Sequence, residues 1–215
     1  MPIKLNYKDF KKILEKLEIV FIREKDYLNE LDRKIGDGDH GLSMSRGFSA
    51  IVKYIQKNDP LNITDILVKG GMQFNEITGS TIGILIFSAM KAAGLAVKGK
   101  EVIDLKDITV MFNVAIKEIV RRGKASLGQK TILDSLIPSF EFLQKKTKED
   151  LKDEISIIKE VINKAHKGAE STRLMESDIG RAKWFKNRSL GVLDPGAYSG
   201  YLIIKTIGDY LLEKC

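Results

Sequence analysis

The chain has 215 residues, 43% of them hydrophobic and 30% charged, with a formal net charge of +7. That length suits one large domain, 1–215, with a sizeable core, and the composition is that of an ordinary soluble protein. One cysteine, Cys215, excludes a disulfide framework, and apolar runs such as 84–87 are far below the roughly 20 residues of a membrane span. The opening MPIKLNYKDF has no apolar h-region, so no signal peptide and a cytoplasmic setting are expected. The positive charge raises nucleic acid as a partner. Yet the lysines are spread along helical segments with Glu and Asp between them, and no arginine-rich arm, zinc finger or stacking-aromatic motif occurs. A solvated lysine-rich surface is the reading, with neither nucleic acid nor membrane as partner.

Helical spacing dominates and no convincing period-2 strand is found. Asn6, with Asp9 three residues on, opens a first helix whose apolar face is Phe10, Ile13, Leu14, Leu17 and Phe21. A second follows His40 through Met44, Phe48, Ile51, Val52 and Ile55. Asn62 with Asp65 opens a third, 83–95 reads as a mostly buried fourth, and 107–122 as a fifth. The sixth spans 131–146 with a kink at Pro138, and the long charged seventh runs from 148 to about 175. Asp194 as N-cap and Pro195 at the first helical position open the eighth. The expected fold is therefore all-α.

Four breaks, at 31–43, 78–83, 122–131 and 180–197, join helices one to two, three to four, five to six and seven to eight. In an antiparallel bundle alternate connections share an end, so all four converge on one site. The first holds Asp32, Asp37 and Asp39, with Gly36, Gly38 and Gly41 among and beside them. Close carboxylates repel unless protonated or bridged by cations, and glycines let the backbone aim them inward. Their oxygens are hard ligands for magnesium or calcium; three exceed what one magnesium usually takes from protein, so two ions sharing phosphate oxygens fit better. An EF-hand started at Asp37 fails, with Gly41 and Leu42 at ring positions five and six and Phe48 at twelve. The run from Gly94 to Lys100 has Walker A spacing, but Glu101 follows it, a helix precedes it, and it is rejected as a P-loop.

The helix that starts after the carboxylates favours a phosphate at its N-terminus, near His40, Ser43 and Arg46. The second break, Thr78 to Gly83, offers Ser80 or Thr81 as donors. The third carries glycine, lysine and Thr131; the fourth carries Arg181, Arg188 and Asp194, with Trp184 and Phe185 as core or lid packing. The arginines suit phosphate or adenine. No nucleophile–base pair is evident. The pattern is that of positioning and charge neutralisation, which phosphoryl transfer requires.

These motifs carry a resemblance. The runs Leu31-DRKIGDGDHGLSMSRG-Phe48, Arg122-GKASLGQKTIL-Asp134, Gly180-RA, Arg188-SLG and Leu193-DPG-Ala197 come in order and spacing similar to those of the ADP-binding L subunit of dihydroxyacetone kinase. The resemblance implies an antiparallel eight-helix barrel with the nucleotide, ADP or ATP, at one rim. It implies that Asp32, Asp37 and Asp39 bind two Mg2+. It also implies that His40, Gly41, Leu42 and Ser43, with Gly79, Ser80, Thr81 and Ile82, contact phosphates. Gly123, Thr131, Ile132, Arg188, Asp194, Pro195 and Gly196 would surround the adenosine. The acceptor, dihydroxyacetone, would sit on a separate K-type subunit, held by a histidine and beside the general base. A phosphocarrier (M-type) protein of the phosphoenolpyruvate phosphotransferase system would recharge the nucleotide. Two departures stand out: the family's G-G-A-S-G reads Gly79-Ser-Thr-Ile-Gly83, and its Y-L-G-E-R reads Trp184-FKN-Arg188. Alternatives stay open at this point: a nucleotide-loaded module that signals to a transcription regulator, or a paralogue that uses free ATP or phosphorylates another small ketose.

Overall fold

The computed structural model describes residues 3–149, 153–179, 183 and 186–215. Helix α1 (Tyr7–Arg23) starts at Asn6, whose side chain accepts from Lys8 N while Asp9 reaches back in a capping box. One residue, Glu24, separates it from α2 (Lys25–Ile35). Then come α3 (His40–Asn58), α4 (Ile63–Thr78) and α5 (Thr81–Ala96). Next are α6 (Leu105–Gly123), α7 (Leu133–Glu149) and α8 (Glu154–Ser171), which runs into a 3-10 turn at Thr172–Leu174. The short α9 (Lys186–Ser189) precedes α10 (Pro195–Glu213). Two two-residue strands, β1 (Leu5–Asn6) and β2 (Val102–Ile103), pair antiparallel with Leu5 opposite Ile103.

The all-α expectation is met, and the caps at Asn6, Asn62 and Asp194 stand where they were expected. Several boundaries differ, and α7 runs over 133–149 rather than 131–146. Helix α6 starts earlier, because Asp104 rather than Asp107 caps it. Helix α5 starts at Thr81, capped by the Ser80 hydroxyl. Helix α8 begins only at Glu154, behind an Asp153 cap, and ends at Ser171. The 31–43 break is really 36–39, since α2 occupies most of its first half. The buried face of α2, Leu28, Leu31 and Ile35, keeps the i, i+3, i+7 spacing of a helix, so the signal is in the sequence and the expected helix end falls too early. Asp32 thus stands on the last turn of a helix, not in a loop.

Helix neighbours form a circuit: α1 packs on α3, then α3 on α4, α4 on α5, α5 on α6, α6 on α7, α7 on α8, α8 on α10, and α10 on α1. Phe21 stacks on Phe48 at 4.8 Å between ring centroids, and Phe48 meets Phe74 edge-on at 5.3 Å, tying α1, α3 and α4 together. Within the circuit lies an apolar cavity of about 250 Å³ bordered by Leu14, Leu17, Ile86, Met111, Leu136 and Ile204. Lys11 pairs with Asp59, Ile3 N donates to Glu154, and β1 meets β2, so the termini and the other connections share the end away from 36–39.

Helix α7 runs through Pro138 as one helix. Pro138 has no N–H for the Asp134 carbonyl, and at that carbonyl α8 approaches so closely that a Cβ on Gly168 would overlap it. Gly168→Ala is expected to destabilise the fold by about 1–3 kcal/mol through overpacking. Urea denaturation should show a lower midpoint with an unchanged slope.

Candidate functional site

The turn between α2 and α3 is organised by Asp32. Its Oδ2 accepts the backbone N–H of Gly38 at 2.8 Å, Asp39 at 3.0 Å and His40 at 3.3 Å. Asp39, the residue in the N-cap position of α3, makes no side-chain cap of its own, so Asp32 performs that office from one helix away. Gly38 takes the left-handed φ of 81° that the tight turn needs, and a Cβ on Gly36 would overlap Asp32 Oδ1. The result gathers carboxylate oxygens of Asp32, Asp37 and Asp39 within 4.8 Å of one another. All three line a cavity of about 300 Å³.

The other three breaks reach the same cavity. Ser80, Thr81 and Ile82 enter from the start of α5, Gly123 from the end of α6, and Thr131 and Ile132 from the turn before α7. Asp194, Pro195 and Gly196 enter from the start of α10. His40 and Ser43 face it from α3. The expected convergence on one end therefore holds. Four expected residues are not brought to the lining. Gly41 is buried where α3 meets the Lys25 carbonyl, and a side chain there would overlap it. Leu42 is exposed, with its N–H donated to Asn29 Oδ1. Gly79 ends α4 in the left-handed conformation, φ 56°, and Arg188 is exposed on α9. Arg181, Trp184 and Phe185 lie outside the described residues.

Two sides of the cavity differ chemically. The α2–α3 side carries the three carboxylates, His40 and Ser43, at the positive end of the α3 dipole. The side built by α5, α6 and the turn before α7 carries an apolar patch, Ile82, Leu85, Ile119 and Ile132, beside the polar Ser80, Thr81, Lys130 and Thr131, and Ile179 joins the patch from the connection after α8. The His40 imidazole, bonded through Nε2 to the buried Ser199 hydroxyl at 2.8 Å, is desolvated, which pushes its pKa down to about 4. Asp194 is buried as the cap of α10, accepting from Ala197 N at 2.7 Å. Burial lifts its pKa to about 7; nearby Lys130 opposes this, and Asp134 and Asp32 add to it.

The sequence profile of the DAK2 domain matches residues 34–209. This chain belongs to the DAK2-domain family. It is 32% identical over 200 residues to a "PEP-dependent dihydroxyacetone kinase 2, ADP-binding subunit DhaL" of Listeria innocua, covering 92% of each chain. It is 34% identical over 180 residues to the Escherichia coli protein named "PEP-dependent dihydroxyacetone kinase, ADP-binding subunit DhaL", covering 84% of this chain and 85% of that one. The native crystal structure of the C. freundii dihydroxyacetone kinase superposes with a TM-score of 0.71 at 22% identity, over 93% of this chain and 34% of that one. The chain thus spans about a third of that kinase, and the likeness establishes the fold. A second structure of the C. freundii enzyme, in complex with AMP-PNP and Mg2+, gives a TM-score of 0.70. The family resemblance carried by the sequence motifs is borne out.

Two side chains beside the cavity were not singled out from the sequence. Asp134 accepts from Gly128 N and Thr131 N, both at 2.6 Å, and so fixes the turn before α7. The signal was there: Thr131-Ile-Leu-Asp134 has capping-box spacing, and Leu133 N donates to the Thr131 hydroxyl. Lys130, buried at 3% exposure, left no such signal.

A pH dependence follows from His40. Below about pH 6.5 the unfolded chain takes up a proton there that the folded imidazole refuses until about pH 4. The folded-state pKa is depressed, so stability is fully present above 6.5 and declines as pH falls through that window. Imidazole 15N NMR of the native protein should show His40 still neutral at pH 6; a charged ring at that pH would contradict this burial.

Proposed function

We propose that this chain is the nucleotide-holding subunit of a dihydroxyacetone kinase, transferring a phosphoryl group to dihydroxyacetone carried by a separate K-type subunit. The observation that carries the reading is the carboxylate trio, within 4.8 Å and at one side of a cavity whose other side carries an apolar patch. Such a division suits a magnesium–nucleotide, with phosphates at the charged side and the base against Ile82, Leu85, Ile119 and Ile132. The names of relatives matched over most of both chains, ADP-binding subunits of PEP- and PTS-dependent dihydroxyacetone kinases, support it.

The donor set fits the metal: three carboxylates on a glycine-shaped turn are hard oxygen ligands. Asp32, Asp37 and Asp39 would hold two Mg2+. When bound there, magnesium neutralises phosphate charge and favours in-line phosphoryl transfer. The chain's own residues orient and bind. Asp32 fixes the turn through its three backbone bonds and leaves Oδ1 for the cation. The hydroxyls of Ser43, Ser80 and Thr81, at the positive ends of the α3 and α5 dipoles, would present donors to phosphate oxygens. His40, kept neutral, contributes no charge of its own and bonds to Ser199, which anchors α3 to α10. Thr131, Ile132 and Asp194 to Gly196 frame the nucleoside, and Gly196 does so without a side chain because a Cβ would crowd Ile132 N. The acceptor and its general base belong to the K-type subunit, and an M-type phosphocarrier recharges the bound ADP in the cytoplasm.

Purified protein is expected to carry ADP, to lose it to a magnesium chelator, and to bind it about tenfold or more weakly as Asp37→Asn. Native mass spectrometry checks all three; no nucleotide with added Mg2+ and ADP sinks the reading. Mixing the protein with its K-type partner and dihydroxyacetone then identifies the donor. One arm receives free ATP, the other phosphoenolpyruvate with the phosphotransferase proteins, and product is expected in the second. Product in the first arm assigns free ATP as donor, and product in neither assigns a different acceptor or a regulatory role.

A further inference from the structure

Lys130 is a buried cation on a backbone in the left-handed region, φ 58°. Its ammonium donates to the carbonyl oxygens of Thr172 and Val192, both at 2.5 Å. Burial pulls its pKa down, and the field of Asp194 acts against that. Its two hydrogen-bond partners among the described residues are main-chain oxygens at the two ends of the connection between α8 and α10.

That connection has a closed neck. Asp194 N donates to the Thr172 hydroxyl at 3.0 Å, Gly191 N to the Arg173 carbonyl at 2.7 Å, and Ser177 N to the Ser189 hydroxyl at 2.9 Å. Lys130 fastens this neck to the turn before α7. Both joined pieces form the cavity wall, Lys130 to Leu133 from one and Ile179 with Asp194 to Gly196 from the other. Burying an ammonium is unfavourable unless its donors are satisfied, and charge-assisted bonds to carbonyls are about twice as strong as neutral ones. A methionine would fill the same space but join nothing.

We infer that Lys130 is a positioning residue for the nucleotide. By clamping the α8–α10 neck to the α6–α7 turn it fixes the wall made by Thr131, Ile132 and Asp194 to Gly196, and so slows nucleotide release. This rests on the nucleotide reading above.

The test uses the full chain as wild type, Lys130→Met and Lys130→Arg. A fluorescent ADP analogue bound with Mg2+ is chased with unlabelled ADP to give the release rate. Mn2+ alone is titrated by electron paramagnetic resonance. Lys130→Met is expected to release the analogue about tenfold faster or more, with Mn2+ affinity unchanged because the α2–α3 turn is untouched. Lys130→Arg, which keeps the charge but not the geometry, releases it at an intermediate rate and carries the comparison where the Met variant does not fold. Release at the wild-type rate, or weakening of Mn2+ in parallel, overturns the inference. Amide exchange on the wild type needs no variant: Gly191 and Asp194 N–H should be protected like helix amides, and loop-like exchange there removes the clamp. A wild type that takes up neither Mn2+ nor analogue refutes the nucleotide site itself, while the exchange data still report on the neck.

Discussion

One carboxylate carries two duties at this site, and most of the local architecture follows from that. Asp32 Oδ2 gathers three backbone N–H groups and thereby starts α3, while the same carboxylate stands beside those of Asp37 and Asp39. The glycines are the steric condition of the arrangement: Gly36 because a Cβ would strike Oδ1, Gly38 because its φ is positive. For Asp32 to hold the turn, α2 must itself be held. Tyr198 of α10 does so, donating its hydroxyl to Glu24 at 3.2 Å and meeting the Tyr27 ring edge-on at 5.3 Å. The carboxylates are thus coupled mechanically to α10, whose other end of the site is Asp194.

The remaining connections at this end repeat the device. Ser80, Asp134 and Asp194 each accept a backbone N–H at or just before a helix start. Capping is normally a stability matter, worth about 0.5–2 kcal/mol a position. Here these groups also orient the starts of α5, α7 and α10 toward a common cavity, so the groups that stop the helices from fraying also shape the place where a ligand fits.

What could be read from the chain was local or periodic. Asn6, Asn62 and Asp194 announced helix starts because a cap is written within three or four residues. Alternation of connections placed four breaks at one end because antiparallel packing leaves no other choice. The carboxylate run was visible as chemistry, but the helix beneath Asp32 was ended too early, although Leu28, Leu31 and Ile35 keep helical spacing through to residue 35. Lys130 was invisible for a different reason. Its partners are carbonyls of Thr172 and Val192, and main-chain acceptors distant in sequence leave no trace in residue type. The exclusion of Arg188 and Leu42 from the lining is likewise a matter of which way a short helix and a helix face turn, which spacing does not encode.

The polarity of the molecule has a practical side. The only thiol, Cys215, is exposed just past the end of α10, near the end where Lys214 meets Asp9 and β1 meets β2. Coupling through that sulfur to a maleimide surface would tether every copy by the end opposite the carboxylate rim, leaving the rim open to whatever flows past. A dye at the same atom would be a fixed reference point across the length of the helices, against which approach of a second protein to the rim reads out as energy transfer.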